Sequence, residues 1–147
     1  MEAKVMIKKL HERAVIPAYA TPSSAGMDLY ALLDEEIELM PSQRATIPTG
    51  ISIQLPDATA AFIYARSGLG IKHGIVPSNC VGVIDSDYRG EIKVGLVNQS
   101  DASYTIKPFE RIAQMVIAPV LRAELIEADT LDETERGGGG FGSTGRA

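Results

Sequence analysis

The segment GVIDSDYRGEI, residues 82–92, holds the first side chains that could do chemistry. An apolar run leads into Asp85, a polar loop with Tyr88 follows, and a second apolar run resumes. A carboxylate held at the rigid end of a strand can orient and deprotonate a water molecule, and the tyrosine ring offers a flat face to a sugar or base. The alternative is a β-hairpin whose loop uses Asp, Ser and Gly only for turn geometry.

A second candidate site is the turn Arg66-Ser67-Gly68, which directly follows an apolar run. A Ser-Gly turn that opens a short helix exposes backbone N–H groups and a hydroxyl beside a guanidinium, a combination that favours phosphate oxygens. The alternative is an ordinary helix N-cap with a solvated arginine. The turn is not a Walker P-loop, because no Gly-Lys-Ser/Thr follows it.

The third candidate is the glycine-rich end RGGGGFGSTG, residues 136–145. Four consecutive glycines lose too much backbone entropy to form a core element. We therefore predict a β domain over residues 1–135 and a flexible arm over 136–147. The arm is either a disordered tail or a lid whose aromatic and hydroxyl side chains reach a ligand.

Two weaker signals are Asp28, within a run of small and apolar residues, and Gln114, near the start of an apolar strand. Taken alone, Asp28 also fits a plain strand and turn, and the segment Arg111–Gln114 also fits an outward-facing strand edge. A zinc site is not expected, since the two histidines are far apart and Cys80 is the only cysteine. The apolar neighbours of Cys80 predict a thiol in or near the core.

Short alternating or apolar runs broken by Pro, Gly, Asn and Asp predict an all-β fold, a sandwich or barrel such as a jelly roll. The sequence predicts one short helical turn at Ser67–Lys72. The predicted strands are Val5–Leu10, Met27–Leu32, Ile37–Met40, Arg44–Ile47, Gly50–Leu55, Ala60–Tyr64, Cys80–Ile84, Glu91–Asn98, Tyr104–Ile106, Ile112–Ala118 and Leu121–Glu127.

Composition excludes several classes of protein. The chain has 147 residues, 45% of them hydrophobic and 22% charged, which suits one globular domain. A net charge of −5 argues against a nucleic-acid polymer as the main partner. The charged N-terminus, the lack of a long apolar stretch and the single cysteine predict a cytoplasmic protein with no membrane association.

The order of the candidate segments carries more information than any one of them. AGMDLYA (25–31), RSGLG (66–70), GVIDSDYRGE (82–91), ERIAQ (110–114) and RGGGGFGSTG (136–145) closely resemble the five motifs of the trimeric dUTP pyrophosphatases. The resemblance runs from Ala25 to Gly145, and its third and fifth motifs are long and specific.

The resemblance implies a jelly-roll homotrimer that uses Mg²⁺ to hydrolyse dUTP to dUMP and pyrophosphate. Such an activity limits uracil incorporation into DNA and supplies dUMP for dTMP synthesis. Asp85 matches the carboxylate that positions the attacking water, and Tyr88 matches the aromatic under the deoxyribose, which leaves no room for a 2′-hydroxyl. Asn79 and the backbone of Val83 and Ile84 match the uracil-reading hairpin, with Lys93 as a weaker candidate for the pocket wall.

The remaining matches concern phosphates and metal. Arg66, Ser67 and Gly68 match the phosphate-binding turn, Gln114 matches a glutamine that reaches the phosphate chain, and Asp28 matches the acid that supports Mg²⁺ through water. In the arm, which closes over the active site of another subunit, Phe141 is expected to stack on uracil. The arm residues expected to bind substrate with it, most of them at the γ-phosphate, are Arg136, Gly142, Ser143 and Thr144.

Two alternatives keep the same fold, namely a dCTP deaminase-like relative and a non-catalytic regulatory protein. The glycine arm argues against the first, and Asp85 together with the arm argues against the second. The chain departs from the family pattern at two positions: Gly70 stands where alanine is usual, and Phe109 stands where glycine is usual. Both departures are expected to affect only local backbone shape, and Phe109 either stiffens the turn after Pro108 or fills an interface.

Overall fold

The computed structural model describes residues 3–140, which form an all-β domain with one short helix. The strands are short and separated by turns, as the alternating pattern predicts. They are β1 Met6–Lys9, β2 Met27–Tyr30, β3 Ile37–Leu39, β4 Arg44–Pro48, β5 Ile51–Gln54, β6 Thr59–Tyr64, β7 Ile75–Pro77, β8 Gly82–Ile84, β9 Lys93–Asn98, β10 Tyr104–Ile106 and β11 Arg111–Pro119, with α1 at Ser67–His73 between β6 and β7.

The strands pair in four antiparallel groups. The largest sheet has the order β2-β11-β6-β8, and a second sheet has the order β4-β9-β7. Two further pairs are β1-β5 and β10-β3. Strands that are distant in sequence are thus neighbours in space, a topology in keeping with the expected jelly roll.

One apolar cluster joins these sheets. It is built from the inward-facing residues of the alternating strands, of which Leu29, Ile47, Ile51, Leu96 and Ile112 are at most 1% exposed. Burial of such side chains stabilises the fold by about 1.5–3 kcal/mol each. The core therefore fixes the strand ends and loops that carry the candidate site.

The predicted all-β class is confirmed, and ten of the eleven predicted strands have a counterpart in the structure. The strand predicted at Leu121–Glu127 is wrong, because the chain there is exposed and forms no strand. Strand β7 was not predicted, since three residues ending in proline resemble a turn. The loop between β8 and β9 is not a hairpin, because β8 pairs with β6 while β9 pairs with β4 and β7.

Within residues 3–140, no helix has the length and apolar character needed to cross a membrane.

Candidate active site

The centre of the site is set by the register of three adjacent strands. Antiparallel pairing places Gln114 of β11 opposite Asp28 of β2 on one side and opposite Tyr64 of β6 on the other. Strand β11 thus lies inside the sheet, so interpreting Arg111–Gln114 as a strand edge is wrong. A position between two paired strands fixes the backbone from which these polar side chains project.

Asp28 binds two arginines. Its Oδ1 atom accepts a hydrogen bond of 2.7 Å from Nε of Arg66, and its Oδ2 atom accepts one of 3.1 Å from a terminal nitrogen of Arg111. Arg66 also donates to the backbone oxygen of Arg111 at 3.1 Å. Two cations share one carboxylate, which leaves a net positive charge for an anionic ligand.

These side chains line a pocket of about 310 Å³ on the protein surface. The pocket unites five residues singled out in the sequence with Arg111 and a small-residue loop. Its walls are Ala20, Ser24, Ala25, Gly26, Asp28, Arg66, Ser67, Gly68, Arg111 and Gln114. The combination of guanidinium, hydroxyl and amide groups suits phosphate oxygens.

Gln114 is held in place from both sides. Its Nε2 atom donates to the backbone oxygen of Ala65 at 2.9 Å, directly before Arg66. A Cβ atom on Gly26 would lie only 2.7 Å from the Gln114 Oε1 atom, so this neighbour must be glycine for the amide to keep its position. The side chain is therefore tied to the same turn that carries Arg66.

Helix α1 begins directly after Arg66, whose backbone is extended and makes no side-chain capping bond. The first N–H groups of a helix lack partners within it, and Ser67 and Gly68 at this end line the pocket. The helix ends at His73 and is capped by Gly74, whose φ of 66° lies in the left-handed region that glycine adopts without strain.

Asp85 lies outside this pocket. It begins the exposed loop after β8, where its backbone oxygen accepts a hydrogen bond of 3.1 Å from the N–H of Tyr88. Tyr88 is 43% exposed, and its hydroxyl donates to the backbone oxygen of Glu91 at 3.0 Å. The loop thus presents a carboxylate and an aromatic ring to solvent within four residues of each other.

The Asp85 loop and the Arg66 pocket lie at opposite ends of β6. Ile84 pairs with Ala61 near the start of that strand, whereas Arg66 follows its end. Ala61 and Arg66 are five residues apart, which in extended chain is roughly 17 Å, and Asp85 lies one residue further from Arg66 than Ile84 does. Within one chain, Asp85 is therefore too far from Arg66 for both to contact the same phosphate group.

The other residues predicted to bind the nucleoside lie in or near β8. Asn79 is exposed in the turn before this strand, whereas Val83 and Ile84 lie within it. Lys93 begins β9 and contacts Glu91 at 3.5 Å. The predicted burial of Cys80 is wrong, because this residue is exposed in the turn next to Asn79, with a φ of 64° that its sequence neighbours do not indicate.

Comparisons with known proteins identify the family. The family model described as dUTPase matches residues 12–145. A deoxyuridine 5′-triphosphate nucleotidohydrolase from Neisseria meningitidis serogroup A is 53% identical over 99% of both chains. One from Desulfitobacterium hafniense is 51% identical over 99% of this chain and 97% of its own.

The chain belongs to the dUTPase family. Among solved structures, the dUTPase of Staphylococcus bacteriophage 80alpha with dUpNHpp is similar at a TM-score of 0.88, with 27% identity over 97% of this chain and 99% of that chain. A dUTPase of phage phi11 of S. aureus, described with a structural Mg(II) ion, shares the fold at a TM-score of 0.79, with 22% identity over 88% of this chain and 99% of its own. The predicted family, its enzymatic character and the jelly-roll class are thereby confirmed.

Sequence reasoning missed two polar side chains of this pocket, Ser24 and Arg111. Arg111 was quoted within the fourth motif but given no role, yet it contacts Asp28 and lines the pocket beside Arg66. Spacing offered no signal, because residues three apart on a regular strand face opposite sides of the sheet, and only a register shift between Arg111 and Ala113 interrupts that alternation on β11.

The two departures from the family pattern have different effects. Gly70 lies inside α1, where an added Cβ atom would lie 3.4 Å from Val76 in ordinary van der Waals contact. Phe109 has a φ of 61°, in the left-handed region where a bulky residue is strained. A backbone hydrogen bond holds this turn, since the N–H of Phe109 donates to the backbone oxygen of Ala31 at 2.8 Å.

The first residue of β10, Tyr104, has a phenol whose pKa is perturbed by the turn that precedes β11. The Tyr104 hydroxyl donates to a carboxylate oxygen of Glu110, whose other oxygen accepts the N–H of Lys107 at 2.9 Å. Burial raises the pKa of Tyr104 above its ordinary value, and the hydrogen bond to Glu110 and its negative charge raise it further. The phenol therefore remains neutral in the folded protein well into alkaline solution.

The arm is described only at its start. Arg136 is exposed, and its Nε atom donates to the backbone oxygen of Gly139 at 2.9 Å. Phe141, Gly142, Ser143 and Thr144 lie outside the described residues. The boundary between residues 135 and 136 stays a prediction.

The described residues offer no preformed cage for a metal, as residues 3–140 contain no cluster of three or more His, Cys, Asp or Glu side chains able to hold one. Both oxygens of Asp28 are already engaged by arginines. Mg²⁺ often binds through one or two carboxylates, waters and the phosphates of a substrate. These residues fit a Mg²⁺ ion held mainly by water and substrate phosphates, and a role for Asp28 as its indirect ligand stays a prediction.

Proposed function

We propose that this protein hydrolyses dUTP to dUMP and pyrophosphate, with the Asp85 carboxylate activating the attacking water in an active site shared between subunits of a homotrimer. The observation that carries this proposal is the positively charged Asp28–Arg66–Arg111 pocket in a chain about half identical to deoxyuridine 5′-triphosphate nucleotidohydrolases. A pocket with this charge favours a polyphosphate.

The phosphate chain is bound by the turn and by β11. The Arg66 guanidinium, the Ser67 hydroxyl and the N–H of Gly68 contact phosphate oxygens, and Gln114 reaches the chain from its position beside Ala65. Most of the catalytic effect in phosphoryl transfer comes from alignment and electrostatic stabilisation. Arg66 therefore contributes most where charge develops in the transition state.

Asp85 orients a water molecule towards the α-phosphorus and accepts its proton. Its position directly after β8 supports this role, because a strand end holds a carboxylate with little backbone freedom. Tyr88 supports the deoxyribose, while Asn79 and the backbone of Val83 and Ile84 read uracil. Lys93 lies at the wall of this nucleoside pocket, where it contacts Glu91.

Two observations support a homotrimer. First, Asp85 and Arg66 lie at opposite ends of β6, so a complete site needs these groups from different chains. Second, the segment after β11 exposes large apolar side chains, since Leu121, Leu125, Ile126 and Leu131 are 83–101% exposed. So many exposed large apolar side chains in one segment favour a surface that another chain covers.

The glycine arm closes over the site of another subunit. Phe141 stacks on uracil, and Arg136 with Gly142, Ser143 and Thr144 holds the terminal phosphates. Backbone freedom at the four glycines from Gly137 onwards permits opening and closing. Closure excludes bulk solvent, but not the attacking water, from the phosphates and completes the set of positive charges.

Mg²⁺ supplies charge neutralisation and alignment of the triphosphate when bound. Asp28 would support it through water and not directly, since both of its carboxylate oxygens already contact arginines. We place the activity in the cytoplasm, where it would act on the nucleotide pool, limit uracil in DNA and supply dUMP.

The test is pyrophosphate release from each of the common dNTPs and from UTP, with Mg²⁺ and with EDTA. We expect release from dUTP alone, abolished by EDTA. Release of ammonia from dCTP would instead indicate a deaminase, and no reaction with any nucleotide would indicate a non-catalytic protein. The oligomeric state is measured separately by sedimentation, where a fully active monomer would contradict the shared site.

A further inference from the structure

The ring of Tyr88 lies directly against the backbone of Gly90. A Cβ atom on Gly90 would lie 2.3 Å from the Tyr88 Oη atom, 2.5 Å from Cζ and 3.0 Å from Cε2. Gly90 does not have a positive φ, so its backbone torsions do not demand glycine. Glycine is required at position 90 because the Tyr88 ring occupies the space that a side chain would fill.

The far end of the ring is held by Glu91. The Tyr88 hydroxyl donates to the backbone oxygen of this residue at 3.0 Å. The side chain of Glu91 is fixed in turn, because its Oε1 atom accepts the N–H of the buried Gly50 at 2.9 Å. The acceptor that positions the phenol is thus tied to the interior of the domain.

Hydroxyls near β5 hold the rest of this segment. The buried Ser52 hydroxyl donates to the oxygen of Arg89 at 2.7 Å, and the buried Thr49 hydroxyl donates to the oxygen of Ile92 at 2.5 Å. The N–H of Ile92 donates to Ile51 at 2.9 Å. Residues 89–92 are therefore attached to the domain on both sides of Gly90.

We propose that Gly90 is a positioning residue for Tyr88 and thereby a determinant of the discrimination between deoxyribose and ribose. The inference rests on the proposed function, in which the Tyr88 ring supports the sugar. Because residues 89–92 are attached and the ring is 43% exposed, a methyl group at position 90 moves the ring and not the backbone. The displaced ring no longer fills the space of a 2′-hydroxyl.

The test compares kcat/KM for dUTP with kcat/KM for UTP in the full-length wild type and in Gly90→Ala. We expect the ratio to fall by about tenfold or more, since rejection of a substrate that merely adds a hydroxyl rests on pocket shape and is worth on the order of 10². Gly70→Ala is the matched control, because it adds a methyl group away from the sugar and should leave the ratio unchanged.

A double-mutant cycle isolates the role of the ring. Tyr88→Ala should lower the ratio by itself, and Gly90→Ala should then have no further effect, since residues that act through one another are not additive. An additional loss of selectivity in the double variant overturns the inference.

Ser52→Ala provides a second variant in case Gly90→Ala does not fold, as checked by circular dichroism. Losing this hydroxyl frees the Arg89 carbonyl and loosens the same segment, so a smaller fall in the ratio is expected. An unchanged ratio in the folded variants overturns the inference while leaving the proposed function intact. A wild type that does not hydrolyse dUTP would refute the proposed function itself.

Discussion

Asp28 holds Arg66 through a hydrogen bond of 2.7 Å between the carboxylate Oδ1 atom and the guanidinium Nε atom. Only 16% of the Asp28 side chain and 25% of the Arg66 side chain are exposed, so solvent screens this pair less than an ordinary surface ion pair. The contact fixes the plane of the guanidinium. In the proposed function, Arg66 therefore meets the phosphates with a guanidinium whose orientation is already set.

Arg111→Gln should weaken substrate binding. The variant leaves one oxygen of Asp28 without its cation and loosens the carboxylate that orients Arg66. Hydrogen bonds to charged groups contribute about 1.5–3 kcal/mol, so we expect KM for dUTP to rise by about tenfold or more, with a smaller change in kcat. Steady-state kinetics check this, with the exposed Arg44→Gln as the control. Equal KM values for both variants would contradict a role for Arg111.

Asp85→Asn should remove most of the turnover without harming the fold. The substitution keeps the shape of the side chain but removes the group that accepts a proton from water, so kcat should fall on the order of 10²-fold or more. Asp87 is exposed in the same loop, and Asp87→Asn is the matched control. Pyrophosphate release measures both, and near-normal turnover in Asp85→Asn would refute the assignment.

Deleting the residues after Arg136 should leave a folded trimer with turnover reduced on the order of 10²-fold, because the phosphates lose their enclosing groups. The last strand, β11, ends at Pro119, so the deletion removes no strand described in residues 3–140. Circular dichroism and sedimentation verify the assembly, and pyrophosphate release gives the rate. Full activity in the truncated chain would show that the arm is not a lid.

Gly70→Ala should stabilise the protein. Glycine inside a helix costs about 1 kcal/mol relative to alanine, and the new Cβ atom would meet Val76 at 3.4 Å without a clash. Gly74→Ala is the opposing control, because its φ is 66° and a Cβ atom would lie 2.8 Å from the Ser100 nitrogen. Thermal unfolding should show a higher Tm for the first variant and a lower Tm for the second.

The stability of the fold should decline above about pH 10, where the unfolded tyrosine ionises, while the raised pKa of Tyr104 keeps the folded phenol protonated. The folded state then binds more protons than the unfolded state, so the free energy of unfolding falls as pH rises through this window. Tyr104→Phe removes this contribution. Urea titrations at pH 8 to 11 should show a shallower decline for the variant, and identical slopes would contradict the assignment.

The sequence predicts those parts of the site that follow from local pattern. Short alternating runs locate the strands, and a turn after β6 locates Arg66, because both depend on residues close in the chain. It does not reveal the pairing of β8 with β6 and not with β9, since register between distant strands depends on tertiary packing. For the same reason Arg111 was missed, as its partner Asp28 lies 83 residues away.

The sequence pattern also does not predict the backbone conformation of single residues. The apolar neighbours of Cys80 indicate a buried thiol, yet the left-handed backbone at this residue turns it outwards. The apolar segment after Pro119 has the residue pattern of a strand and was predicted as one. Within residues 3–140, however, it pairs with no other strand. The conformation of such a segment depends on the other subunits that it contacts.

The length of β6 has a genetic consequence. In the proposed homotrimer, each active site combines the Asp85 loop of one subunit with the Arg66 turn of another. A subunit with a defective Asp85 loop and a subunit with a defective Arg66 turn therefore inactivate different parts of a site. Mixed assemblies of the two inactive chains would then contain some centres composed entirely of sound halves. Co-expression of two such alleles would restore part of the activity that neither allele supplies by itself.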